Sequence, residues 1–181
     1  MRRRKSTSGN RVRRALLAAP LAILLAAGGC KAEAARESAA CDGVPPLALA
    51  GRVTDAADVL DPAAEARLSD RLARYEQATR HQMVVATTPG LNGVRVDNFG
   101  TCLGNRWGIG DKDRDDGVPI LIAPKERQML IATGSGMENI LPDDKALEIV
   151  QQMTPHFAKG DYAGGLSEGI EAIAAQTGET P

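Results

Sequence analysis

Two short apolar runs set the fold that this chain can adopt. Residues 83–87, which are followed by Pro89 and Gly90, have the length and composition of a strand buried on both faces. Residues 118–123, which are followed by Pro124, are a second apolar run and predict a second strand. Between them, four apolar residues at spacings of three and four predict an amphipathic helix: Val96, Phe99, Leu103 and Trp107. A strand, a helix and a strand in this order predict a parallel pair joined by a crossover.

Another helix is predicted ahead of the first strand. Asp61 is a typical N-cap residue, and Pro62 suits the first helical position, where a missing N–H leaves no bond unmade. An apolar stripe then extends to about Thr79, on Leu68, Leu72 and Tyr75. Residues 52–60, which precede this helix, are interpreted as the entry into the domain.

The second half of the chain completes a mixed sheet. Residues 128–133 predict a third strand, joined to the one before it by a hairpin over residues 124–127. Two helices follow, one beginning after Asp143–Asp144 and one ending near Gln176. Their apolar stripes are Leu147, Val150, Met153 and Phe157, then Leu166, Ile170 and Ile173. We therefore expect an α/β fold, a single-domain α/β/α sandwich whose mixed sheet is covered by helices on both faces.

Charge is unevenly distributed along the 181 residues. Seven of the 22 basic residues and none of the 23 acidic residues lie in residues 1–29, so the rest of the chain has a net charge of −8. This balance argues against a nucleic-acid partner, because phosphate binding depends on clustered lysine and arginine. Gly108 and Gly110 follow a helix and lack the third glycine of a dinucleotide-binding motif, which argues against a nucleotide.

Residues 1–29 have the features of a bacterial signal peptide. A basic segment precedes 15 apolar or small residues, fewer than the roughly 20 that span a bilayer as a helix. A retained membrane anchor is the alternative. Residues 26–30, Ala-Ala-Gly-Gly-Cys, resemble a lipoprotein lipobox, which implies cleavage before Cys30 and lipidation of its thiol. We then expect an exported protein, lipid-anchored to the periplasm-facing membrane of the cell envelope.

Three cysteines are present, and lipidation of Cys30 leaves Cys41 and Cys102. In an oxidising compartment these two can form a disulfide bond. Alternatively, Cys102 is a small buried residue of a helix and Cys41 a free thiol. Residues 30–50 lack periodicity and are interpreted as a tether, ahead of a domain at residues 51–177 and a tail at 178–181.

Residues 108–118, here called the acidic loop, separate the second predicted helix from the second strand. Four carboxylates fall within six residues: Asp111, Asp113, Asp115 and Asp116. Two carboxylates about 4 Å apart repel by roughly 1 kcal/mol even in water, so the loop needs solvent, basic neighbours or a cation. One interpretation is a solvated turn, and the other is an oxygen-rich site for Ca²⁺ or Mg²⁺. The loop is not an EF-hand, whose sixth position is glycine.

Three further acids would join such a site if their loops converge on the acidic loop. Asp55 lies in the entry segment, Glu138 follows the third strand, and Asp143 opens the next helix. Each alone is more typical of a helix cap or a solvated side chain. His81 and His156 have no G-x-S-x-G motif to partner them, so carboxylate- or metal-assisted phosphoryl chemistry is the enzymatic alternative.

Several motifs resemble the TPM domain family over roughly residues 52–176. They are Val-Thr-Asp at 53–55, His-Gln-Met-Val-Val at 81–85, Asn-Arg-Trp-Gly-Ile-Gly-Asp-Lys at 105–112, Asp-Asp-Gly-Val at 115–118, Gly-Ser-Gly-Met-Glu at 134–138, Leu-Pro-Asp at 141–143 and Gly-Asp-Tyr at 160–162. The resemblance implies an α/β/α sandwich and, in some members, Ca²⁺ held by acidic loop residues. Carried over by position, the ligands are Asp111, Asp115 and Asp116, with Asp55, Glu138 and Asp143 as further contributors. Ser135 and Asp116 replace the tyrosine and asparagine that are usual in the family.

These features together predict a lipid-anchored envelope protein whose TPM-like domain binds a divalent cation, Ca²⁺ or Mg²⁺, and serves a membrane-protein complex. The family includes a thylakoid-lumen protein linked to photosystem II repair and reported as an acid phosphatase. The resemblance therefore also implies an alternative, a weak metal-dependent acid phosphatase with Asp115 and Asp116 as catalytic residues. In a third interpretation, the domain is an interaction module and the aspartates only hold a loop.

Overall fold

A four-stranded mixed sheet forms the centre of the computed structural model, which describes residues 41–178. The strands lie in the order β1 (Val53–Asp55), β2 (Gln82–Thr87), β3 (Gly117–Ala123) and β4 (Gln128–Ile131). The first three are parallel, and β4 is antiparallel to β3, which confirms the predicted crossover pair and hairpin. The predicted signal peptide, Cys30, the first part of the predicted tether and residues 179–181 lie outside the described residues.

Four helices cover the two faces of the sheet: α1 (Pro62–Thr79), α2 (Val96–Trp107), α3 (Asp143–Phe157) and α4 (Tyr162–Gln176). Successive strand residues point to opposite faces. Along β3, Val118, Ile120 and Ile122 therefore pack with α1, α3 and α4. Leu121 and Ala123 pack with α2 on the other face. The predicted α/β/α sandwich is confirmed. None of the described helices is long and apolar enough to cross a membrane.

The helix signals are confirmed for α1 and wrong in one respect for α3. Asp61 caps α1 by accepting a hydrogen bond of 2.7 Å from the Ala64 N–H. In α3, the predicted stripe residue Leu147 is 56% exposed, and the buried positions are Ala146, Ile149 and Met153. Met153 belongs to both stripes, and it packs closely against Gly169 of α4, where no side chain intervenes. Ala146 and Ile149 each lie one residue before Leu147 and Val150, while Met153 is common to both stripes, so the buried face is turned by less than the roughly 100° that one residue spans.

Two segments of the domain lie outside the sequence prediction. β1 has only three residues, too few to show a period-two pattern, and its strand character comes from pairing with β2. Residues 41–47, here called the N-terminal clasp, pack on α2 through a disulfide between Cys41 and Cys102, which was one of the two alternatives for these cysteines. Arg106 donates to the Cys41 and Val44 carbonyls at 3.1 and 3.0 Å. The end of the predicted tether is therefore part of the folded domain.

Candidate functional site

The acidic loop lies at the N-terminal end of the parallel strands, beside a second turn at residues 134–138. β4 runs antiparallel to β3, so the chain that leaves β4 returns to this end of the sheet. The Gly134 N–H donates to the Gly117 carbonyl at 2.9 Å, and the Gly136 N–H donates to the Asp115 carbonyl at 3.0 Å. The two loops are therefore held together by their main chains.

Gly136 permits this close contact between the loops. A Cβ atom placed on Gly136 would lie 1.8 Å from the Arg114 carbonyl oxygen, and one on Gly134 would lie 2.2 Å from the Asp115 carbonyl oxygen. Any side chain at these positions would push the turn away from the acidic loop, since both neighbours are backbone atoms. The close contact between the two loops therefore requires glycine at positions 134 and 136 for steric reasons.

Asp116 is the anchor of the acidic loop. It is 2% exposed, and its Oδ1 accepts a hydrogen bond of 2.8 Å from the Asp111 N–H. Its Oδ2 accepts one of 2.7 Å from Arg114 Nε and lies 3.1 Å from His81 Nδ1. Burial by itself would raise the pKa of Asp116, but the Asp111 N–H, the Arg114 guanidinium and the His81 ring together hold this pKa below its usual value.

Asp111 and Asp115 lie in the exposed part of the same loop. Asp111 Oδ1 accepts hydrogen bonds from the Asp113 and Arg114 N–H groups at 3.0 and 3.2 Å, which makes the tight turn. Asp115 adopts a left-handed backbone conformation, with φ of 47°, and its Oδ2 accepts from the Ser135 N–H at 2.8 Å. One carboxylate oxygen of each residue thus remains without a main-chain donor.

Asp55 does not converge with this loop. It ends β1 opposite Thr87, whereas the acidic loop precedes Gly117, which pairs with Gln82 at the other end of β2. Five strand residues separate the two levels, about 17 Å at a rise of roughly 3.3 Å per residue. The Asp55 carboxylate instead accepts from the Leu60 N–H and the Thr87 hydroxyl. The prediction that Asp55 shares a cation with the acidic loop is therefore wrong.

Glu138 and Asp143 lie at the acidic-loop end of the sheet, and both are exposed. Glu138 belongs to the turn bonded to the acidic loop. Asp143 is in the first turn of α3, whose N-cap position is Pro142, so Asp143 complements the helix dipole and is not the cap. Within residues 41–178, no three His, Cys, Asp or Glu side chains are grouped closely enough to hold a metal ion as they stand.

The residues of the acidic loop fit a cation site only in part. Asp116 does not fit as a ligand, since both of its oxygens already accept hydrogen bonds in a buried position. Asp111 and Asp115 fit better, because they are exposed and each keeps an oxygen that faces no main-chain donor. The Asp111 Oδ2 has only a loose contact, 3.4 Å, with the Arg114 guanidinium.

His81 is the residue at this site that the sequence analysis missed. Its Nδ1 donates to Asp116, which leaves Nε2 of a ring with 20% side-chain exposure as the free acid–base atom. The sequence does hold a signal for this pair. His81 directly precedes β2 and Asp116 directly precedes β3, so pairing of Gln82 with Gly117 brings the two residues side by side. Histidine, carboxylate and Arg114 together can move a proton or bind an anion.

Three solved protein domains are similar to this fold. The N-terminal domain of a protein from P. gingivalis is 31% identical, with a TM-score of 0.64 over 68% of this chain and 80% of that one. The N-terminal domain of the cg2496 protein from Corynebacterium glutamicum is 14% identical, with a TM-score of 0.59 over 76% and 86% of the chains. The BA42 protein from Bizionia argentinensis is 19% identical, with a TM-score of 0.59 over 65% and 81%.

Sequence comparison agrees with the structural similarity. No curated protein matches the chain. The family model described as the TPM domain matches residues 53–176, which span all four strands and all four helices. The predicted resemblance is thereby confirmed, and the chain belongs to the TPM domain family.

Proposed function

We propose that this protein is a lipid-anchored component of the bacterial cell envelope whose TPM domain binds Ca²⁺ through the acidic loop and serves a membrane-protein complex. The observation that supports the cation site is the difference in burial and hydrogen bonding among the loop carboxylates. Buried Asp116 holds the loop in place, while Asp111 and Asp115 remain exposed, each with an oxygen that no main-chain N–H occupies. A rigid loop that presents carboxylate oxygens to solvent suits a hard cation.

In this proposal the ligands are Asp111 and Asp115, with Glu138 and Asp143 as further oxygen donors from the neighbouring segment. Binding requires the Arg114 guanidinium to give up its 3.4 Å contact with Asp111, while its 2.7 Å bond to Asp116 remains. Ca²⁺ accepts an irregular shell of six to eight oxygens, whereas Mg²⁺ demands near-ideal octahedral geometry. Carboxylates spread over two loops therefore favour Ca²⁺ over Mg²⁺.

Thermal unfolding of the full chain in mild detergent tests the cation site. Protein stripped with a chelator is titrated with Ca²⁺, and a ligand at 100 times its Kd stabilises the folded state by about 2.7 kcal/mol. For a domain of this size the midpoint should rise by roughly 5–10 °C. Asp115→Asn should lose the shift and Asp113→Asn, which removes the same charge from the same loop, should keep it. The cation site is disproved if wild type shows no shift with Ca²⁺, Mg²⁺ or Mn²⁺, or if both variants lose it alike.

Lipid anchoring has a separate test. After expression in a bacterium with a lipoprotein-processing pathway, the wild-type chain should partition into the detergent phase of a Triton X-114 extract. Cys30→Ser removes the thiol that the lipid would occupy, and Ser38→Ala, a small change in the same segment that leaves the disulfide intact, serves as the control. Equal partition of wild type and Cys30→Ser would refute the anchor and leave the cation site untouched.

A metal-dependent acid phosphatase is the second candidate, and the His81–Asp116 pair beside Arg114 favours it. A carboxylate that orients an imidazole, with a guanidinium close by, is a suitable arrangement for a proton donor next to a phosphoryl group. In this version Asp116 is a positioning residue and Asp115 the exposed catalytic carboxylate. Hydrolysis of an aryl phosphate between pH 4 and 8 with Ca²⁺, Mg²⁺ or Mn²⁺ should fall in His81→Gln. An inactive wild-type protein would eliminate this candidate.

A further inference from the structure

β4 presents an unpaired edge of the sheet. It is the last strand in the order, and no described strand pairs with its outer side. The Ala132 N–H donates to the Pro119 carbonyl at 3.0 Å, and the register pairs Ile120 with Ile131. Bonded positions alternate in an antiparallel ladder, so the main-chain N–H and C=O groups of Met129 and Ile131 point away from β3.

A groove of about 510 Å³, here called the edge groove, lies beside the start of β4. Ile122, Ala123 and Met129 contribute its sheet side, and the end of α3 and the start of α4 form the opposite wall. That wall includes the stacked rings of Phe157 and Tyr162, whose centroids are 5.4 Å apart. An open strand edge next to a groove that offers both apolar side chains and polar groups suits the binding of an extended peptide by β-strand addition.

Arg127 gives the edge groove its charge. It is exposed, and it is the only charged residue among those that line the groove. It has no ion-pair partner among the described residues, although residues 30–181 carry a net charge of −8. Arg127 lies at the hairpin, immediately before the first residue of β4, and a guanidinium there matches a carboxylate in geometry and charge.

We propose that the edge groove binds an extended peptide segment of a protein partner, which pairs with β4 and places a carboxylate on Arg127. A segment antiparallel to β4 ends at the hairpin, so its C-terminal side reaches Arg127. Alternate side chains of the segment enter the edge groove. The carboxylate is either the chain terminus or an acidic side chain. This proposal deepens the accessory role proposed above, but it does not involve the acidic loop, which lies at the other end of β3.

The experiment selects ligands from a displayed library of random heptapeptides with free C termini, using the full chain in mild detergent. Selected peptides, made synthetically and labelled, are titrated by fluorescence anisotropy. Met129→Pro removes the outward N–H, and an edge strand tolerates proline on its unpaired side. Met129→Ala is the matched control, since it loses the same side chain and keeps the N–H. We expect Met129→Pro to weaken binding at least tenfold relative to Met129→Ala.

Arg127→Asn supplies a second test on an exposed turn residue. Arg127 has φ of 53°, which asparagine also adopts readily, so the fold should survive this change. The affinity of Arg127→Asn for the selected peptides should fall about tenfold. If amidation of the peptide C terminus causes the same loss in wild type, the carboxylate is the chain terminus. If only Asp→Asn or Glu→Gln in the peptide does so, it is a side chain.

Three results would overturn the proposal. The first is a selection that enriches no peptide. The second is equal binding of the selected peptides by Met129→Pro and Met129→Ala. The third is a dimer in sedimentation, joined through β4, that peptides do not displace. The Ca²⁺-dependent shift of the melting midpoint is measured on the same variants. Peptide binding without a Ca²⁺-dependent shift would refute the cation site and leave the edge-groove proposal standing. A Ca²⁺-dependent shift without peptide binding would refute the edge-groove proposal and leave the cation site standing.

Discussion

Replacing Asp116 by asparagine tests whether this residue is the anchor of the acidic loop. The change keeps the shape of the side chain and removes its charge. The amide oxygen can still accept from the Asp111 N–H, but an NH₂ group now faces Arg114 Nε. A hydrogen bond to a charged group contributes about 1.5–3 kcal/mol. The Arg114 side chain is 53% exposed, so solvent screening weakens its part of this contribution.

Asp116 is buried, and leaving a buried polar group badly paired costs about 1–3 kcal/mol, so Asp116→Asn should lower the free energy of unfolding by about 2 kcal/mol. With an m-value of about 2 kcal/mol per molar urea, the unfolding midpoint falls by about 1 M. The control is Asp113→Asn, an exposed change in the same loop that should stay within about 0.5 kcal/mol of wild type. Equal stability of the two variants, measured in urea without divalent cations, would refute the anchor role.

The stability difference between wild type and Asp116→Asn should also depend on pH. The pKa of Asp116 in the folded protein is below its ordinary value of 3.8. The stability that the ionised carboxylate contributes is therefore complete above about pH 4 and is lost as the pH falls through the folded-state pKa. The gap between wild type and Asp116→Asn should accordingly narrow below pH 4. A gap that stays constant down to pH 2 would contradict the argument.

Three further predictions concern other parts of the fold. The disulfide closes a loop with a sequence separation of 61, so Cys102→Ala should destabilise the protein by about 4 kcal/mol, and dithiothreitol should shift the urea midpoint of wild type but not of the variant. Hydrogen bonding to Asp161 raises the pKa of His156 above 6.5. The stability that protonated His156 contributes is therefore complete below pH 6.5 and is lost as the pH rises through the folded-state pKa. His156→Gln should accordingly be less stable than wild type at pH 5.5 and equally stable above pH 9. Gly136→Ala should cost about 1–3 kcal/mol through its clash with the Arg114 carbonyl, and an unchanged melting midpoint would disprove that contact.

The elements that the sequence predicts correctly are those with long, regular patterns. The stripe of Leu68, Leu72 and Tyr75 lies on a helix of 18 residues, and the apolar runs of β2 and β3 are buried on both faces. The rotation of α3 about its own axis could not be predicted from residue spacing. A stripe through Leu147 has the same helical spacing as the stripe that is buried. Met153, which packs on Gly169 of α4, lies in both stripes, and the burial of Ala146 and Ile149 in the core is what distinguishes them.

Loop carboxylates are harder to assign than helices, because their positions depend on which end of the sheet each loop leaves. Asp55 follows a strand and Asp116 precedes one, so parallel pairing puts them at opposite ends of the sheet. That separation follows only once β1 is recognised as a strand. The His81–Asp116 pair was accessible in principle, because two adjacent parallel strands that begin in register bring the residues before them together.

The N-terminal clasp has a mechanical consequence. A pulling force applied to the chain ahead of Cys41 and behind residue 178 passes through the disulfide directly to Cys102 in α2. The intervening segment, which contains β1, α1 and β2, bears no tension and cannot extend. About 200 Å of chain length is withheld from stretching in this way, at roughly 3.3–3.6 Å per residue. Under load the part of the domain after α2 would yield first, while reduction of one bond would release the whole chain to extension.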